Sequence, residues 1–81
     1  MNKKDFNIIL NSIDRVKAFT NCNSKFDGDI DVVSGRYVID GKSIMGMFSL
    51  DLSKELLIKL SYDDEAEYDK LMSLYKECNL I

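Results

Sequence analysis

The spacing of apolar residues along this chain switches between a period of two and one near 3.6, and that switching limits the fold more tightly than composition does. Phe6, Ile8 and Leu10 alternate with Asn7 and Ile9, which predicts a first strand. Asn11 or Ser12 then stands where a helix cap belongs, with Asp14 near the positive end of the dipole. Ile13, Val16, Phe19 and Cys22 (or Asn23) give that helix an apolar face, Phe26 closes it, and Asp27-Gly28-Asp29 breaks it. Ile30 and Val32 alternate with Asp29 and Asp31. After Ser34-Gly35 comes a second β-branched run, Tyr37-Val38-Ile39, so the two form a hairpin. A short helix opens at Ser43 and is expected to end around Leu50 to Leu52. Leu56, Ile58 and Leu60 alternate with Leu57, Lys59 and Ser61 as a fourth strand. Tyr68, Leu71, Met72 and Tyr75 then lie at i, i+3, i+4 and i+7, and Cys78 extends this clearest of the helical stripes.

The order strand, helix, strand, strand, helix, strand, helix is satisfied by an α+β fold: a four-stranded antiparallel sheet with three helices on one face. The other sheet face stays wet, which accounts for Asp29, Asp31, Lys59 and Ser61 at alternating positions. No proline, repeat or low-complexity stretch divides residues 1–81, so they are read as one domain. Net charge is −3 and the 11 Lys and Arg are scattered, which argues against a nucleic-acid surface. The apolar run after Met1-Asn2-Lys3-Lys4-Asp5 is too short for a signal peptide or membrane span, so a cytoplasmic protein is expected.

Cys22 and Cys78 form no CxxC pair, and with no histidine a zinc site would lack ligands. They read as two reduced structural thiols, with a disulfide left open. Asp63, Asp64, Glu65 and Glu67 read as partners of a helix dipole rather than as a calcium site, and Lys76 suits the far end. Nothing in these patterns implies a metal, a cofactor or an enzyme.

The segment Lys42-Ser43-Ile44-Met45-Gly46-Met47-Phe48-Ser49-Leu50 carries the functional information. It places five large apolar side chains in the seven positions from Ile44 to Leu50. A helix this short cannot bury all of them against one core, and an exposed apolar patch marks a docking surface. Ile44, Met45, Phe48 and Leu52 follow one helical stripe, while Met47 and Leu50 are expected to face the core. Methionine suits a surface that repacks against different partners.

Asp40 through Leu50 also resembles the regulatory-serine segment of HPr, the small phosphocarrier of the bacterial sugar phosphotransferase system. Ser24-Lys25-Phe26-Asp27 resembles the end of the first HPr helix. The acidic strand, the Ser34-Gly35 turn and Tyr37-Val38-Ile39-Asp40 resemble its central hairpin. The resemblance implies the HPr-like open-faced sandwich, βαββαβα. It implies that Ser43 is the serine phosphorylated by a dedicated kinase, and that Lys42, Ile44, Met45, Phe48 and Leu52 form the surface for HPr kinase, enzyme I or a catabolite-control regulator. A plain helix cap is the other reading of Ser43.

In HPr the phosphoryl group rides on a histidine, followed by Arg and Pro, in the loop after the first strand. Here that loop reads Leu10-Asn11-Ser12-Ile13-Asp14-Arg15-Val16, a few residues shorter and without histidine or proline. Ser12 or Asp14 would lie near the lost imidazole. Arg15 is either a solvated arginine or a remnant of the anion-binding end. An imidazole keeps high transfer potential near neutral pH, whereas a serine ester does not pass its phosphoryl group onward. An aspartyl phosphate site would need a bound Mg²⁺ and a lysine that nothing here announces. The resemblance therefore implies a regulatory, protein-binding relative that acts through the Ser43 helix. A carrier with a non-histidine acceptor at Ser12, Asp14 or Ser43 is one alternative. An orphan interaction module is another, for which Gly41 and the bulky Phe48 leave room.

Overall fold

The structure, a computed structural model, describes residues 1–81. Its elements run β1 (Asn2–Ile8), α1 (Ile13–Asn23), β2 (Asp29–Ser34), β3 (Tyr37–Asp40), α2 (Ile44–Phe48), β4 (Leu56–Tyr62) and α3 (Glu65–Glu77). The strands form one antiparallel sheet in the order β1-β4-β2-β3. The α+β class and the element order are those predicted.

Central β4 alternates without interruption: Leu56, Ile58, Leu60 and Tyr62 are buried, and Lys59 between them is exposed. In β2, Ile30 and Val32 face the same core while Asp29 and Asp31 face water. On the wet face the register sets Lys59 between Asp5 and Asp31, opposite charges on neighbouring strands. Gly35 takes φ +60 in the β2–β3 hairpin. Because Ser34 pairs with Tyr37, the two loop residues are Gly35 and Arg36, one position later than predicted.

Strand β1 corrects the expected first strand. It begins at Asn2 and ends at Ile8, and Leu10 is buried beyond it. The whole length of β4 templates the ladder, from Asn2 opposite Tyr62 to Ile8 opposite Leu56. Pairing on an edge thus recruits polar residues that no alternation marks. Lys4 reaches over the Tyr68 ring, 5.4 Å from its centroid.

In α1 the buried stripe is Val16, Phe19, Thr20 and Asn23, with Cys22 beside it. Ile13, placed on the apolar face by its spacing, is instead 59% exposed in the first turn. Helix α2 is shorter than expected. The Ser49 hydroxyl and amide both donate to the Gly46 carbonyl, at 2.6 and 3.1 Å, and close the helix at Phe48.

Helix α3 buries Leu71 and Tyr75 and is capped at its start by Asp64, which accepts from the Ala66 amide. Glu65 accepts from the Tyr62 hydroxyl at 2.9 Å. The helix ends in a Schellman turn: Asn79 takes φ 57, its amide donates to the Lys76 carbonyl, and the Leu80 amide donates to the Tyr75 carbonyl. Leu80 then plugs the core. Phe19 stacks on Tyr75 at 5.5 Å, and Phe6 meets the same ring edge-on at 6.0 Å. No helix is long and apolar enough to cross a membrane.

Candidate functional site

The route from β3 into α2 is fixed by backbone-directed polar contacts. The Gly41 amide donates to the Ile30 carbonyl at 2.7 Å, and a Cβ at this position would come within 2.4 Å of the Ile30 Cγ2. Only glycine lets the chain approach β2 this closely. Asn23, fully buried in α1, donates from Nδ2 to the Gly41 carbonyl at 2.7 Å, and the Tyr75 hydroxyl donates to its Oδ1. Burial pushes the Tyr75 phenol well above its ordinary pKa, so it remains a donor. Lys42 donates from its amide to Asp40 at 2.9 Å and from Nζ to the Phe26 carbonyl at 2.6 Å. The Lys42 side chain thus ties the loop before α2 to the segment that follows α1.

Ser43 then caps α2. Its backbone is extended, and its half-buried hydroxyl accepts from the Gly46 amide at 3.2 Å. Met47 is fully buried and anchors the helix, as predicted, whereas Met45 is 77% exposed and Phe48 38% exposed. The expected stripe divides here. Ile44, Leu50 and Leu52 are half-buried and pack against the core. Leu52 lies beyond the end of α2, in a turn, and so leaves the helical face that its spacing implied.

The loop between β1 and α1 lies against this region, because the Asn11 amide donates to the Leu52 carbonyl at 3.0 Å. Ser12 is the cap of α1, its hydroxyl accepting from the Arg15 amide at 3.2 Å, and Asp14 is exposed in the first turn. Arg15 is half-buried, and its guanidinium is engaged by backbone carbonyls. Its Nη1 donates to the Asn79 carbonyl at 2.8 Å, and its Nη2 to the carbonyls of Ile9 and Leu80 at 3.1 and 3.4 Å. The guanidinium therefore staples the C-terminal turn to the loop after β1.

On or beside this loop two exposed apolar residues, Ile9 (46%) and Ile13 (59%), were not singled out from sequence. Ile9 stands out of phase between Ile8 and Leu10, a signal that the alternation rule does carry. Exposed apolar side chains thus occur on both segments, Ile9 and Ile13 on or beside the β1–α1 loop and Met45 and Phe48 on α2, whose N-cap is Ser43.

A family model described as the PTS HPr component phosphorylation site matches residues 15–77. Among solved structures, HPr-C-His from Thermoanaerobacter tengcongensis is similar at 28% identity and TM-score 0.66, covering 94% of this chain and 92% of its own. The histidine-containing phosphocarrier protein of Mycoplasma shares the fold at 17% identity and TM-score 0.70, covering 96% and 98%. So does phosphocarrier protein HPr of Bacillus anthracis, at 20% identity and TM-score 0.66, covering 91% and 98%. No curated protein sequence matches the chain.

Proposed function

Because this chain belongs to the HPr family of the phosphotransferase system, we propose that it is a regulatory, protein-binding member and not a histidine phosphocarrier. Family members are phosphocarriers rather than catalytic enzymes, and they work by meeting other proteins of the system. The observation that carries the reading is that Met45 is mostly exposed and Phe48 more than a third exposed on a helix seated by Met47 and capped by Ser43. The chain has no histidine to carry a phosphoryl group.

In this reading Ser43 is the regulated residue. Phosphorylation puts roughly two negative charges and three acceptor oxygens where one hydroxyl accepts from the Gly46 amide. The apolar patch is left in place and its border becomes anionic, which changes the partners it favours. Ile44 and Leu52 pack against the core beside α2, and Lys42 holds the loop on which Ser43 is presented. The partners are cytoplasmic proteins: HPr kinase, enzyme I or a catabolite-control regulator. Ser12, Asp14 and Arg15 are the remains of the phosphoryl-accepting loop, now used as a cap, a dipole partner and a staple.

Incubation with an HPr kinase and ATP tests the proposal. Phosphate is expected on Ser43 and is lost in S43A; an unmodified Ser43 removes the serine switch. Incubation with enzyme I and phosphoenolpyruvate is expected to leave the protein unlabelled. Label that is gained and then passed to a sugar permease component overturns the regulatory reading.

A further inference from the structure

Cys22 and Cys78 are 56 positions apart in sequence, yet their Sγ atoms lie 3.6 Å apart where the end of α1 meets the end of α3. We propose that they form a redox-responsive pair that closes into an intramolecular disulfide when the protein meets a low-molecular-weight disulfide, and reopens on reduction. Both are free thiols here, Cys22 buried and Cys78 exposed. A disulfide needs the sulfurs at about 2.05 Å, so closure asks the two sulfurs to approach by roughly 1.5 Å.

The difference in exposure orders the chemistry. The Cys78 thiolate attacks one sulfur of the small disulfide, forming a mixed disulfide and releasing a small thiolate. Cys22 then attacks the Cys78 sulfur, the second small thiolate leaves, and the Cys22 proton goes to it. The protein gives up two electrons and two protons, and the small disulfide is reduced to two thiols. Burial, and then the neighbouring Cys78, push the Cys22 thiol up to about 11, so it is protonated near neutral pH and shielded from outside oxidants. Its proximity to Cys78 makes the second step intramolecular and offsets that low reactivity. In a reducing compartment the pair rests open, as intracellular regulatory thiols do.

The bond would close a long loop over most of the chain and pin α3 to α1. It forms next to Asn23, whose side chain holds the Gly41 loop. Treatment of the full chain with oxidised glutathione, followed by mass spectrometry and thiol titration, tests this. The expected product is a monomer lighter by two hydrogens, with neither thiol titratable, melting at least about 5 °C higher and reverting with a dithiol reductant. The C22A variant is expected to stop at one glutathione on Cys78, and C78S to remain unmodified. A stable mixed disulfide on Cys78 of the wild type, a Cys78-linked dimer, or two thiols that survive the treatment would each overturn the pairing.

Discussion

Where α1, α3 and the loop before α2 meet, buried polar groups answer one another: Tyr75 to Asn23, Asn23 to Gly41, Gly41 to Ile30. A few residues further on, Met45 is mostly exposed and Phe48 partly so. The first region is apolar space that admits an amide and a phenol because every partner is supplied. The second is surface that admits a methionine and part of a phenylalanine without a partner in this chain to cover them. The two are linked through Gly41, Lys42 and Ser43. The buried network thus fixes the position of the exposed patch, and each region can be disturbed while the other is watched.

The largest effect is expected from Asn23→Ala. It leaves the Gly41 carbonyl and the Tyr75 hydroxyl without partners inside the core, at a cost of about 3 kcal/mol. For a domain of this size that lowers the melting temperature by more than about 10 °C. Tyr75→Phe removes only the hydroxyl and orphans Asn23 Oδ1, so about 1–2 kcal/mol is expected. Urea denaturation of both variants checks the ranking. Equal costs would mean that the Asn23–Gly41 bond contributes little and that the loop before α2 is held by other contacts.

Arg15→Ala comes next, at about 1.5 kcal/mol, because three carbonyl contacts at the C-terminal turn are lost on a partly exposed surface. Arg15→Lys is expected to fall between wild type and alanine, since one ammonium cannot reproduce the planar fork. Melting in increasing phosphate separates staple from anion site. A staple gives the same response in wild type and R15A, whereas an anion ligand gives stabilisation by phosphate that only the wild type shows.

Raising the pH probes the buried side through its titrating groups. The Tyr62 phenol is pushed up to about 12 by burial and then by its bond to Glu65, and the Cys22 thiol to about 11. Both folded pKa values lie above the ordinary ones of 10.0 and 9.0, so between these limits the unfolded chain binds fewer protons than the folded one. The stability contributed by these two groups is then fully present below pH 9 and falls as pH rises from 9 through 12, and the Tyr75 phenol, raised further by burial, extends the loss above pH 10. Urea midpoints across this range should decline. Tyr62→Phe should flatten the upper part of the decline, and C22A the lower part.

The sequence revealed most where one side chain's phase answered one question. The alternation in β4 and the stripe of α3 each report a face that is either in or out. β4 matched throughout, and α3 buries Leu71 and Tyr75 with Tyr68 and Met72 half-buried, whereas Cys78, expected to extend the stripe, caps the helix end and is exposed. β1 was misplaced because an edge strand takes its length from its partner, and Asn2 to Asp5 carry no apolar phase to announce it. Ile13, expected in the core, and Leu52, expected on the exposed stripe, were both misassigned because helical spacing fixes a side chain's face only where the helix runs and lies over the core. Ile13 sits in the first turn of α1, and Leu52 lies past the serine that ends α2. In the site, the Ser43 cap and the outward Met45 and Phe48 were legible from local spacing. The Arg15 staple, the Asn23 bridge and the meeting of Cys22 with Cys78 were not, because each joins residues far apart in the chain, and single-sequence spacing holds no record of such pairs.

The smallest expected effect on stability, in the double variant M45A/F48A, is the most telling. Met45 is mostly exposed and Phe48 more than a third exposed, so truncating both should cost about 1 kcal/mol or less, against about 3 for Asn23→Ala. If the patch is a binding surface, the same change removes its central anchors, and anchors of this kind each contribute about 2 kcal/mol or more. Phosphorylation of Ser43 by an HPr kinase at limiting protein should then fall roughly tenfold or more, with the melting temperature nearly unchanged. A parallel loss of stability and phosphorylation would instead make the two side chains part of the scaffold. Unchanged phosphorylation with unchanged stability would move the kinase contact elsewhere, with Ile9 and Ile13 on the neighbouring loop the next residues to truncate.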